Sequence, residues 1–292
     1  ASGRARVASP PPAAERGHEV TLYEAAPQLG GQFNLAARIP GKQEYAATVR
    51  HFQARLRRAG ATVCTGVSAQ AGELAARGFE HVVLATGVRP RAPDIEGLDH
   101  PCVASYLDIL EGRRVAGPRV AIIGAGGIGF DIAELLTHED LPGPDAVARF
   151  QAQWGIDPSV RTRGGLVAPA PARPAREVWL LQRKDEALGR GLGRTTGWIR
   201  RAVLARRGVH LLGGVHYERI DDAGLHLRVQ GEPRTLAVDT VVVCAGQEPR
   251  RELLEALRAA GVEATPIGGA REATGLDAMR AIDEGVRLAA RL

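Results

Sequence analysis

Residues 120–136 read Val-Ala-Ile-Ile-Gly-Ala-Gly-Gly-Ile-Gly-Phe-Asp-Ile-Ala-Glu-Leu-Leu. A short β-branched run enters the glycines, and the apolar spacing of an amphipathic helix follows at once. That order predicts a strand, a tight turn and a helix that together take a dinucleotide. Gly124 permits the bend, Gly126 lets the backbone approach a pyrophosphate, and Gly129 lets the helix pack closely on the strand. Gly127 opens the helix, whose free N–H groups and partial positive charge face the phosphates. A glycine run alone is an ordinary turn; the flanking strand and helix make this one a cofactor site.

Outward from this unit, strands alternate with helices. His18–Glu24 reads as a strand ending in an acid, Pro27–Gln32 as a turn, and Lys42–Ala59 as a helix closed by Gly60. Ala61–Val67 and His81–Ala85 are further strands, the second running into Ala85-Thr86-Gly87. Beyond the glycine unit lies a long Pro- and Gly-rich segment, Thr137–Arg176, expected as a surface excursion. Strands follow at Glu177–Gln182, Val209–Leu212, Leu225–Val229 and Val238–Cys244, the last ending in Ala245-Gly246. Helices are expected at Thr196–Arg207, Arg251–Ala260 and Leu276–Leu292. The alternation implies an α/β fold with a parallel sheet. Residues 1–16, rich in Pro and Arg, carry no strand period and are expected to be irregular.

Composition narrows the function. At 292 residues there is room for two domains. No apolar run reaches the roughly 18 residues of a membrane helix, and no signal peptide opens the chain, so a cytoplasmic protein without a membrane partner is expected. The net charge of +5 comes from dispersed Arg, with Lys only at 42 and 184 and 4% aromatic residues, which argues against a nucleic-acid partner. Cys64, Cys102 and Cys244 form no CxxC pair, and the eight histidines show no ligand spacing, so no metal site is expected. No nucleophile motif stands beside a base, and no catalytic acid or base is assigned.

Several runs resemble one family, the bacterial-type NADPH-dependent 2,4-dienoyl-CoA reductases, in their C-terminal FAD and NADPH portion. They are GGQFNLAARIPGK (30–42), VAIIGAGGIGFD (120–131), LLQRK (180–184), GLGRTTGWI (191–199) and VVVCAGQEPR (241–250), and the similarity spans about residues 17–292. The resemblance implies two nested Rossmann-like FAD/NAD(P)-binding domains, of the pyridine nucleotide-disulfide oxidoreductase kind. Residues 17–108 and 245–292 would be of the FAD-binding type and 109–244 the NADPH-binding domain. It also implies an oxidoreductase that passes hydride from NADPH to FAD to reduce an unsaturated acyl-CoA. An N-terminal barrel with FMN, and a 4Fe-4S region, would be supplied outside residues 1–292. Trimethylamine dehydrogenase-like proteins and enoate reductases share this architecture.

Within that frame Glu24 is the acid for the adenosine ribose; its alternative is an exposed charge at a strand end. Arg183 and Lys184 end the strand after the glycine unit, where a basic pair favours the 2′-phosphate of NADPH over NADH. The alternative is a solvated pair offset by Asp185 and Glu186. Arg194 and Thr195 lie in a glycine loop that can fold over the adenosine phosphate or cap the next helix. Trp198 is read as core or as a packing lid. Gly31 and Gln32, Ala85-Thr86-Gly87, Gly246, and Gly269-Ala270 match flavin-contacting turns of the family, though each also reads as a plain tight turn. Two departures stand out. Arg271 occupies a place where the family has an aspartate. The position of the first strand and FAD pyrophosphate turn reads Ala-Arg-Val-Ala-Ser-Pro-Pro-Pro (5–12), as a truncated copy would. A colourless NADP(H)-binding fragment and a free-standing diaphorase are therefore the alternatives.

Overall fold

The structure, a computed structural model, describes residues 10–138, 145–170, 174–193 and 195–292. They fall into two compact units, one of residues up to Arg91 with Gly246–Leu292, the other of Ala92–Ala245. The first begins with α1 (Pro10–Glu15), β1 (Thr21–Glu24), α2 (Gln32–Ala36), α3 (Tyr45–Arg58) and β2 (Thr62–Thr65). It continues through α4 (Ala71–Ala76), β3 (Val82–Leu84) and β4 (Val88–Pro90). The second holds β5 (Val103–Ser105), α5 (Tyr106–Leu110), β6 (Arg119–Ile123), α6 (Gly127–Leu136), α7 (Ala146–Trp154), β7 (Glu177–Leu181) and α8 (Gly197–Arg206). Five strands complete it: β8 (His210–Leu212), β9 (Val215–Asp221), β10 (Gly224–Val229), β11 (Glu232–Leu236) and β12 (Thr240–Val243). The chain then returns to the first unit with β13 (Gln247–Pro249), α9 (Glu252–Ala259), β14 (Ala264–Pro266) and α10 (Ala278–Ala289).

The second unit is built on a parallel sheet of order β5-β12-β6-β7-β8. Val120, Ala121, Ile122 and Ile123 are all buried, as a strand covered on both faces requires. One face, with Ala121, Ile123, Trp179 and Leu181, packs in one cluster with Ile220, Leu225, Leu227 and Leu236 of the antiparallel sheet β11-β10-β9. Helices α6 and α8 pack against each other, and α6 lies on β6 and β7. Among its described residues the first unit has three strand pairs: β1 with β2 and β3 with β14, both parallel, and β4 with β13, antiparallel.

Three expectations are corrected, and two strands are added. Residues 10–15 are helical, because proline is tolerated in a first helical turn whose N–H groups have no acceptor anyway. Ala13 and Ala14 of that helix are buried, and Glu15 is clamped by Arg55 of α3 through bonds of 2.8 and 2.6 Å. The division between units falls after Arg91 and not at 108, since β5 pairs with β12. Strands β9 and β11 were not anticipated, and Trp198 is 56% exposed and no part of the core. Among the described residues no helix is long and apolar enough to cross a membrane.

Leu225 is fully buried between the two sheets. Leu225→Ala is expected to lower the urea-unfolding free energy by roughly 2–5 kcal/mol. Val115→Ala, at an 86% exposed position, should stay within about 0.5 kcal/mol.

Candidate functional site

In the Ala92–Ala245 unit three parallel strands end at one edge of the sheet. Ile123 stands beside Leu181 on one side and Val243 on the other. The Gly124 N–H donates to Leu181 O at 2.9 Å, and the Cys244 N–H donates to Ile123 O at 2.8 Å. Gly124 has φ 109°, and a Cβ there would lie 2.5 Å from Cys244 O. A Cβ on Gly129 would lie 1.9 Å from Gly124 O. The first position therefore needs glycine for the bend, and the second for the close seating of α6 on β6. Gly126 and Gly127 differ: a Cβ at either would meet no protein atom within 4 Å. Their bareness serves no contact inside the protein and leaves an open cradle at the start of α6. Gly126 is the N-cap and supplies no capping side chain, so the first-turn N–H groups are left for an outside acceptor. The donors and the dipole suit a pyrophosphate.

Arg183 and Lys184 leave the end of β7, next to this turn in the sheet. Lys184 Nζ lies 3.7 Å from Glu186, which also takes Arg190 at 3.1 Å. Arg183 is exposed and makes no ion pair among the described residues. Its guanidinium is thus the cation open to an added phosphate, while Lys184 is partly offset. Arg194 lies outside the described residues. Thr196 holds the N-cap position of α8 without a side-chain capping bond. Trp198 lines a hollow of about 480 Å³ with Arg190, Leu192 and Arg201. Cys244 is buried, which pushes its thiol up and leaves it protonated and inert.

The other candidate residues gather at strand ends of the first unit. Glu24, last in β1, is fully buried, and its Oε1 accepts the Ala26 N–H at 2.8 Å, so it is no exposed terminal charge. Gly31 is the N-cap of α2 and Gln32 its first residue. Ala85-Thr86-Gly87 follows β3; the Thr86 hydroxyl donates to Arg250 O at 2.6 Å. Gly246 accepts from Arg91 N at 3.1 Å. Gly268, Gly269 and Ala270 form a buried turn. Sequence reasoning missed two residues that hold it. Glu284 of α10 accepts the Gly268 N–H at 2.6 Å and pairs with Arg271 at 2.9 Å. Arg251 donates to Ala270 O at 2.9 Å. Nothing local in the sequence marks either contact, since each joins segments more than twelve residues apart.

The two units answer the cofactor question differently. The glycine turn has the donors, the open space and the cation for a nicotinamide dinucleotide. The first unit offers a buried carboxylate and close-approach turns, but α1 opens with Pro10, Pro11 and Pro12. Prolines have no N–H, so this helix start cannot donate to a pyrophosphate. Among the described residues, FAD has no complete site.

Residues 3–275 match the pyridine nucleotide-disulphide oxidoreductase family. The chain belongs to this family of oxidoreductases. It is 28% identical over 250 residues to a metal reductase of Desulforamulus reducens, covering 84% of this chain and 36% of that protein. It is 26% identical over 281 residues to a bilirubin reductase of Mediterraneibacter gnavus, covering 96% and 37%. A solved 2-naphthoyl-CoA reductase in complex with 2-naphthoyl-CoA shares the fold, with a TM-score of 0.77 at 23% identity over 98% of this chain and 39% of that one. The chain thus spans well under half the length of each.

Gly126→Val is expected to leave folding within about 1 kcal/mol, as an N-cap change, and to abolish nicotinamide-dinucleotide binding. Gly129→Val should cost more than ~3 kcal/mol by overpacking against backbone. Urea melts with NADPH titrations of intrinsic fluorescence read both; undiminished affinity in Gly126→Val refutes the cradle.

Proposed function

We propose that this chain is the NADPH-binding module of a larger flavoprotein reductase of the 2,4-dienoyl-CoA reductase type, working in the cytoplasm. The observation that carries the reading is the open cradle at Gly126 and Gly127 beside the uncompensated Arg183. The pyrophosphate would lie on the α6 N-terminus, and Arg183, with Lys184 beside it, would take the 2′-phosphate. Arg194 and the Gly191–Gly197 loop would close over the adenosine. A reduced nicotinamide supplies hydride, and the protein's part is to hold and orient it. The likeness to a reductase bound to a CoA thioester supports an unsaturated acyl-CoA as final acceptor. A barrel with FMN and a 4Fe-4S cluster would complete the path to it.

Glu24, Gly31, Gln32, Ala85, Thr86, Gly87, Gly246, Gly269 and Ala270 would form the adenosine and ring-side parts of a flavin site. The three prolines at the start of α1 favour the second reading, an NADP(H)-binding protein that holds no FAD by itself. Purification separates the readings: a yellow protein supports the first, a colourless one that binds NADPH the second.

Replacing Arg183 and Lys184 with Ser is expected to weaken NADPH about 10- to 100-fold, the loss of one or two charge-assisted contacts. NADH affinity should change less than about twofold. Equal losses for both nucleotides, by calorimetry, would remove the assignment of the 2′-phosphate.

A further inference from the structure

We propose that Gln182 is a positioning residue for the choice of nucleotide: its side-chain amide fixes the loop 183–186 in the form that presents Arg183, without itself touching the nucleotide. The inference rests on the reading that Arg183 and Lys184 take the 2′-phosphate, and it names what holds them in place. Gln182 is the first residue after β7. Its main chain still belongs to the sheet: Gln182 N donates to Leu212 O at 2.9 Å, and Gln182 O accepts from Val215 N at 3.0 Å. Its side chain is spent on the loop that follows. There Nε2 donates to Lys184 O at 3.1 Å and to Glu186 O at 3.0 Å. Both N–H groups of the amide are thereby used within five residues of chain.

A second hold comes from the end of the neighbouring strand. The Gly214 N–H donates to Lys184 O at 3.1 Å, so that carbonyl takes two donors, one for each lone pair. The turn between β8 and β9 comes close enough to need glycine. A Cβ on Gly213 would stand 3.3 Å from both Lys184 O and Glu186 O. Gly214 has φ 66°, and a Cβ there would stand 3.4 Å from Asp185 Oδ1, so Asp185 lies against this turn. Arg183 is bracketed by anchored backbone, at Gln182 on one side and at Lys184 on the other.

A segment that leaves a strand end is ordinarily among the more mobile parts of a fold. Apparent affinity falls with the fraction of molecules in the competent form, so a loose loop would weaken the grip of any cation it carries. Arg183 gives up the rotamer freedom of a long side chain when it holds a phosphate. A loop already pinned through three carbonyl contacts adds no further ordering cost to that one. The cradle at Gly126 and Gly127 lies outside these bonds. Loss of the amide should therefore fall on the phosphate that NADPH carries and NADH lacks.

The full chain is titrated with NADPH and with NADH by calorimetry. Gln182→Met, similar in length and without N–H donors, is expected to weaken NADPH roughly five- to thirtyfold, the population shift that two ordinary hydrogen bonds can hold. NADH affinity should change less than about twofold, and amide exchange should quicken at residues 184–186 but not in β6. Added to Arg183→Ser with Lys184→Ser, Gln182→Met should cost less than about twofold more, since the cations it serves are gone. Unchanged NADPH affinity, equal loss for both nucleotides, or a loss additive with the serine pair overturns the inference. Gln182→Leu carries the same test should the methionine variant not fold. A selective loss of NADPH in the serine pair with none in Gln182→Met sinks this inference alone. No selective loss in the serine pair sinks the phosphate reading, and this inference with it.

Discussion

The contact between the Gly124 carbonyl and the bare α-carbon of Gly129 sets the rest of the nucleotide-side geometry. A methyl group at 129 would sit 1.9 Å from that oxygen. Only glycine lets α6 start so near the end of β6, and this nearness aims the helix N-terminus at the sheet edge. Parallel register then does the remaining work. With Ile123 level with Leu181 and Val243, the segments after β7 and β12 emerge at the same edge. The segment that carries Arg183 leaves the sheet beside the turn because of strand order, not because of sequence proximity, since about sixty positions separate them.

Part of this was legible beforehand because it is encoded locally. The β-branched run, the glycines and the helical spacing of 120–136 need no tertiary information, and neither do the apolar runs of β7 and β12. The sheet β9-β10-β11 was legible only in part. His216, Glu218 and Arg219 face solvent in β9, and Glu232–Thr235 are exposed in β11, so the apolar alternation that marks a strand is diluted there. The buried state of Glu24 and the Glu284 clamp on Gly268 were not legible at all. Each depends on which distant segment arrives, and a carboxylate looks the same in sequence whether it ends up solvated or enclosed. Trp198 was read as core or as a packing lid; exposed at the start of α8, it is not core, and only the second reading stands.

The helix starts α1 and α6 make an instructive pair. Both are stable starts, for opposite reasons. Gly126 and Gly127 leave N–H groups bare and accessible, whereas Pro10–Pro12 remove the N–H groups altogether. A proline start removes unsatisfied donors and pre-sets the backbone angle, which favours the short α1, and the Arg55–Glu15 clamp adds to it. The same substitution removes the capacity to hold an anion. Family membership therefore extends over both units, while free N–H donors stand at the helix start that glycines open and not at the one that prolines open.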